Sequence, residues 1–391
     1  MKPPRLASQI IAITLFRILL NTARRFVYPF APALSRGLDV PLAAITSIIA
    51  VAQFSSLVGV FSGLLADRFG YRRVMRGGLA LLALGMLICG LAPTYWPVFL
   101  GLVVACLGKV VFDPAVQAFV GSKVPFERRA RIIGIIEMAW AGSTLLGIPA
   151  LAVIIDRFGL QNSFLVMALL GGCSWLAIGC FIPPDQMDVH GAARRRPMLS
   201  VLWQLFRRRQ AAGLLLFGFF VSVANDSLFV VYGAWFEQAF AVSIVTLGFS
   251  AVAIGCAELL GESVTALFAD RIGLKRALVI GLLLTSGAYL FLPFLGLTLP
   301  LAMAGMFLLF FCFEFTIVSS FSLGTELVPD ARATMMSGFY AMAGVGRMIG
   351  VLLGGALWPL GGISLVCSVA AVLTGLALVS LLWGLRGWQS T

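Results

Sequence analysis

The 391-residue chain is 60% hydrophobic and 11% charged, with a mean hydropathy of +1.02, which excludes an ordinary water-soluble domain and points to an all-α membrane protein. A net charge of +12 could suit nucleic acid, but the cations gather between apolar runs, the pattern that orients membrane helices. The seven cysteines (89, 106, 173, 180, 256, 312, 367) lie in apolar runs without a CxxC pair, and His190 is the only histidine. Neither disulfides, a metal site nor histidine catalysis is signalled, and no cofactor motif stands out.

The basic leader Met1-Lys-Pro-Pro-Arg5 precedes a first apolar run over 8–34. Arg17, Asn21, Arg24 and Arg25 interrupt that run and no small-residue cleavage site follows, so it reads as a retained span and not a signal peptide. Further runs lie near 40–65, 77–93, 97–124, 132–155 and 163–183, then 213–235, 244–267, 277–293, 300–326, 335–358 and 363–385. Each can supply a membrane helix of about 20 residues, giving twelve spans in two halves, 1–183 and 213–391. The polar stretch 184–212, with Arg194-Arg195-Arg196 and Arg207-Arg208-Arg209, reads as a cytoplasmic linker whose charges face anionic lipid. On this assignment both termini are cytoplasmic. All but seven of the 28 Lys/Arg then lie on that side, the exceptions being Arg36, Arg157, Arg17, Arg24, Arg25, Lys109 and Arg347.

Gly63-Leu-Leu-Ala-Asp67-Arg68-Phe-Gly70-Tyr-Arg72-Arg73-Val74 lies between the second and third runs. It returns 203 residues later as Ala266-Leu-Phe-Ala-Asp270-Arg271-Ile-Gly273-Leu-Lys275-Arg276-Ala277. Gly70 and Gly273 suit a turn that needs positive φ, and Asp67 and Asp270 can cap a helix or hold the neighbouring cations. Asn21…Tyr28 matches Asn225…Tyr232 at an offset of 204, and Gly147 matches Gly350 at 203. Matched spacing over such distances marks an internal repeat.

These two loops resemble the G-x-L-A-D-R-x-G-R/K signature of the major facilitator superfamily. The resemblance implies twelve transmembrane helices in two six-helix halves related by a pseudo-two-fold axis, with alternating access as the mode of action. It also implies that Gly63, Asp67, Arg68, Gly70 and Arg72, with Asp270, Arg271 and Gly273, form gating loops and not substrate ligands.

Charges inside a bilayer are costly, so each embedded one is a candidate for function. Arg17, Asn21 and Arg24 share one face of the first span, either as a cationic wall of a cavity or as structural partners of acids. Lys109 and Asp113, at i and i+4 in span 4, can neutralise each other. The span-4 Arg usual in drug-exporting facilitators is missing, with Leu102 near its place. Glu137 begins a degenerate version of the antiporter glycine-proline pattern, with Gly142, Gly147 and Pro149. In the second half Asn225, Asp226, Glu258, Glu262 and Glu314 are embedded polar groups, and Arg347 is a possible counter-ion. Two carboxylates four residues apart in low dielectric suit proton binding. Phe26, Tyr28, Phe30, Tyr232, Trp235 and Phe236 read as an interface belt and packing residues, or as the wall of a greasy cavity.

The expectation is a monomeric, non-enzymatic secondary transporter of the bacterial inner membrane. It exports small amphipathic molecules in exchange for protons, in the manner of the twelve-span drug:proton antiporters it resembles. Three alternatives stay open: uptake of an organic anion by symport or uniport, a non-transporting sensor or scaffold, and lipid translocation, which would need a lateral opening.

Overall fold

A computed structural model describes residues 6–55, 69–183, 207–327 and 332–387, and among these there is no strand. In the first part of the chain α1 is Leu6–Arg25, α2 Ala31–Gly37, α3 Leu42–Phe54, α4 Tyr71–Leu91, α5 Tyr95–Lys123, α6 Phe126–Glu137 and α7 Ala139–Gly142. A π-helical turn, Ser143–Gly147, leads into α8, Ile148–Phe181. Then follow α9 (Arg209–Phe229), α10 (Tyr232–Phe240), α11 (Ile244–Ile272), α12 (Leu274–Leu295), α13 (Leu299–Leu327) and α14 (Arg332–Gly384).

Nine segments of the described residues are long and apolar enough to cross a membrane. Two of them, Ile132–Phe181 and Met335–Gly384, contain 50 residues each; a straight helix of that length would reach about 75 Å, far beyond a bilayer of about 30 Å. Both are broken. Gly159 has φ 81° inside α8, and Gly361 and Gly362 leave helical geometry inside α14, Gly362 with φ 57°. Dividing the two at these breaks gives eleven crossings. The expected span over 40–65 is described only as Leu42–Phe54, which meets α2 at 117°. The first span ends in a turn over residues 26–30 before α2, and its counterpart bends at 230–231 between α9 and α10.

The breaks repeat like the motifs. Positive-φ glycines fall at Gly70 and Gly273 and at Gly159 and Gly362, both pairs 203 residues apart. L-residues resist this region because Cβ crowds the carbonyl, so glycine is the residue that turns the chain there.

The described residues form two compact units. One holds those up to 183 with 243–252, and the other holds 207–242 with 253–387. Helix α9 starts at Arg209, four residues inside the expected linker; most of that linker, with His190, lies outside the described residues.

In the first unit α4 and α5 approach closely. A Cβ on Gly85 would lie 2.3 Å from the Gly101 carbonyl, and one on Gly108 would lie 2.5 Å from that of Gly78. In the second unit α9, α12, α13 and α14 share an apolar core that includes Leu215, Phe217, Leu278, Leu323, Phe339 and Leu381.

The six aromatic residues expected as an interface belt are buried. Phe26 meets Phe164 edge-on at 6.1 Å, and Trp235 and Phe236 interlock at 5.1 Å. A belt needs rings at lipid level, a place taken in the first unit by Trp96, which is 72% exposed.

Candidate functional site

Helices α1, α5 and α6 of the first unit bring four charged side chains into one chain of contacts. Lys109 Nζ donates to Asp113 Oδ2 at 2.6 Å, and Arg17 Nε donates to Asp113 Oδ1 at 3.0 Å. The other arm of Arg17 pairs with Glu137 Oε1 at 2.8 Å and reaches the Ile136 carbonyl at 3.3 Å. Two cations thus meet two carboxylates, and the Arg fork spans both acids, a geometry Lys cannot reproduce. Burial is graded: the side chains of Arg17 and Lys109 are 8% and 5% exposed, Asp113 29% and Glu137 46%. Charges this deep persist only when paired and hydrogen-bonded, and here each cation has its acid.

Two turns further along α1, Arg24 donates a short hydrogen bond to Gln53 Oε1, and Gln53 Nε2 donates to Tyr28 Oη at 2.6 Å. Arg25 lies 4.2 Å over the Trp140 ring and donates to the Trp140 carbonyl at 3.4 Å, a buried cation–π contact. That carbonyl also accepts from Ser143 Oγ at 2.6 Å, where the π turn begins. Asn21 is buried, and its Oδ1 has no hydrogen-bond partner among the described residues. Thr22 is pressed against the π turn: a Cβ on Gly147 would stand 1.9 Å from its Oγ1. A π turn re-aims the residues that follow it and is common at functional sites.

The second unit repeats the crossing with different chemistry. Gly350 of α14 packs on α9, where an added Cβ would lie 3.1 Å from that of Asp226. Asp226, Glu258 and Glu314 are buried, while Glu262 and Asn225 are half-buried. Asn225 Oδ1, like that of Asn21, has no hydrogen-bond partner. Gly261 lets α11 meet α13 closely, since a Cβ there would lie 2.8 Å from Glu314 Cβ. Glu314 therefore lies at a helix crossing, with Thr265 Oγ1 donating to the Phe315 carbonyl at 3.3 Å beside it; Glu258 and Glu262 stand three residues before and one after Gly261 on α11. Arg347 lies three residues before Gly350 on α14.

Of the expected gating residues, Gly63, Asp67 and Arg68 lie outside the described residues, as does the Asp270 side chain. Gly70 and Gly273 precede the first residues of α4 and α12 with φ 85° and 88°. Arg72 donates to the Gly179 carbonyl of α8 at 2.7 Å, and Arg76 lies 4.2 Å over the Trp175 ring. In the second unit Lys275 makes the matching reach, to the Leu385 carbonyl at 3.4 Å. Arg271 is exposed at the end of α11.

The sequence reading did not single out Gln53. It is a polar side chain inside the second apolar run, and that embedded polarity was the available signal.

Taken together, the two repeated units and their embedded charges define a polytopic helical carrier. The sequence model described as Major Facilitator Superfamily matches residues 13–329 and 215–389, and the chain belongs to that superfamily. It is 24% identical to an uncharacterized MFS-type transporter, YceJ, of Bacillus subtilis, over 80% of this chain and 79% of the relative. Identity is 25% to a multi-drug resistance efflux pump PmrA homolog of Lactococcus lactis, over 85% and 83%. Its fold is similar to that of a bacterial homolog of the human lysosomal transporter Spinster in an inward-facing and occupied conformation. The TM-score is 0.75 at 17% identity, covering 98% of this chain and 95% of that one. The protein is an integral membrane transporter of small molecules, not an enzyme.

Proposed function

We propose that this transporter exports small amphipathic organic molecules across a bacterial inner membrane in exchange for protons. It works as a monomer by alternating access, with 1–183 and 213–391 as its halves and 184–212 as their linker. The observation that carries the coupling is the Lys109–Asp113–Arg17–Glu137 chain. Because each cation there already meets a carboxylate, the cluster has less call for an anionic substrate than a bare cationic wall would. Glu137 is the most exposed of the four. A proton arriving on it cancels its charge, and Arg17 is left to pair with Asp113 alone. That exchange links proton occupancy to the contacts among α1, α5 and α6.

The acids Asp226, Glu258, Glu262 and Glu314 form a second coupling group, with Arg347 as counter-ion. Asn21, Arg24 and Asn225 are the polar candidates for contact with substrate. Gly63, Asp67, Arg68, Gly70, Arg72, Asp270, Arg271 and Gly273 belong to the gates. Export over import is supported by the efflux pump among the relatives.

The test uses purified protein in liposomes holding a pH-sensitive dye, with an imposed proton gradient and a panel of cationic, neutral and anionic amphiphiles. Proton movement driven by cationic or neutral compounds is expected. Movement with anions alone would replace this reading with organic-anion transport through Arg17 and Arg24. No proton movement with any compound, alongside sodium-driven flux, would overturn proton coupling.

A further inference from the structure

Three helix ends of the second unit converge on the backbone of residues 384–386. At the start of α9 a Cβ on Gly213 would lie 2.5 Å from Gly384 Cα, so α9 and the end of α14 touch backbone to backbone. Arg209 donates a short hydrogen bond to the Arg386 carbonyl, and Lys275 at the start of α12 donates to the neighbouring Leu385 carbonyl at 3.4 Å. Folding thereby gathers Arg208, Arg209, Lys275, Arg276 and Arg386, while 208–212, 274–278 and 382–387 contain no acid. The C-terminal dipole of α14 offsets only about half a unit of this positive charge. Among the described residues the exposed Glu326, in the last turn of α13, is an acid on the adjoining helix. Like charges brought together this way repel unless an anion joins them.

What lies beside the cations says which anion. On α14, Val372, Leu376, Val379 and Trp383 are 65%, 43%, 63% and 47% exposed; their spacing of four, three and four residues keeps them on one face, and three residues on comes Arg386. On α12 the exposed Ile280, Leu283 and Leu284 follow Arg276 on one face. The two helices pack together, with Ser286 Oγ donating to the Ala371 carbonyl at 3.3 Å. A half-exposed Trp just inside the last cation suits the headgroup level of a bilayer. A cavity of about 310 Å³ lined by Arg208, Arg209, Gln210, Ala211 and Leu327 opens at the same end of α9.

We propose that the ends of α9, α12 and α14 bind the phosphate of an anionic phospholipid, whose acyl chains lie along the exposed faces of α12 and α14. A soluble polyanion would match the cations but leave the two apolar stripes unused. A zwitterionic lipid would match the stripes but bring its own cation to the cluster. Arg276 and Arg386 are the principal phosphate contacts, and Arg209 and Lys275 hold the helix ends in place.

The experiment measures the thermal unfolding midpoint of the purified full chain in detergent with added phosphatidylglycerol, phosphatidylcholine or inorganic phosphate. Phosphatidylglycerol is expected to raise the midpoint and to bind at least tenfold more tightly than phosphatidylcholine. Each cation removed should weaken it about fivefold, so Arg276→Gln with Arg386→Gln should cost about 25-fold. Arg157→Gln, in the other unit, should change nothing. Equal binding of the two lipids, or unaltered binding in the double variant, would overturn the site. An equal effect of inorganic phosphate would overturn the lipid as its ligand. Should the double variant fail to assemble, salt titration of the unaltered protein decides. Phosphatidylglycerol affinity must fall as ionic strength rises, and a flat response would refute the phosphate contact.

Discussion

At the residue scale, Asp113 and Glu137 share Arg17 but are not equivalent. Asp113 holds two cations, Arg17 and Lys109, whose side chains are 8% and 5% exposed. Asp113→Asn removes the charge that keeps both in a low dielectric, and breaking such a pair costs about 3 kcal/mol or more. A large fall in unfolding midpoint is expected from circular dichroism in detergent. Glu137 is 46% exposed and holds Arg17 alone, so Glu137→Gln should cost about 1 kcal/mol or less. What it should lose is coupling: substrate flux in liposomes persists while the accompanying proton movement falls several-fold. Proton movement at the unaltered level would reduce Glu137 to a structural partner of Arg17. Neither contact was legible in the sequence. Arg17 and Glu137 stand 120 residues apart, and only the packing of α1 on α6 makes them neighbours. Lys109 and Asp113 were legible, because i and i+4 on one helix need no tertiary knowledge.

At the scale of elements, glycine serves two separate physical ends here, and substitution can tell them apart. Gly147 lets the π turn meet α1, and a methyl there would stand 1.9 Å from Thr22 Oγ1. Gly147→Ala must push the two helices apart, an overpacking cost of about 1–3 kcal/mol. Gly159 has open space around it but a φ of 81°. Gly159→Ala should cost about 1–2 kcal/mol through backbone strain alone. Gly134, helical with open space, is the control: Gly134→Ala should be neutral or stabilising by up to about 1 kcal/mol. Thermal midpoints of the three variants check the order, which fails if Gly147→Ala matches Gly134→Ala. The loop glycines announced themselves beside charges. The Gly159 and Gly362 pair keeps the same 203 spacing; Asp156-Arg157 and Gln161-Asn162 mark the first of these turns as the expected end of a span, whereas Pro359-Leu-Gly-Gly362 carries no charge. The buried aromatics mislead for a related reason. Where nearly every position is apolar, periodicity does not say which face meets lipid and which meets protein.

At the scale of the molecule, the repeat is the most legible feature, because charged and glycine-rich loops stand out against an apolar background. The chemistry, however, is not repeated. Thr22 faces Gly147 where Asp226 faces Gly350, and the first unit pairs its charges across α1, α5 and α6 while the second sets Glu314 at the crossing of α11 and α13. The common part is the pair of cation-to-carbonyl ties, Arg72 to Gly179 and Lys275 to Leu385, each fixing the helix after an Asp-Arg-x-Gly repeat to the end of its own unit. Ties inside one unit make that unit move as a body, so their loss should affect turnover more than substrate contact. Arg72→Gln is therefore expected to lower the maximal transport rate in liposomes about tenfold, with the half-saturating substrate concentration changed less than about threefold, and Asp67→Asn, in the signature that resembles a gating loop, is expected to do the same. A rise in that concentration at an unaltered maximal rate would assign the loop to substrate binding and refute its role as a gate.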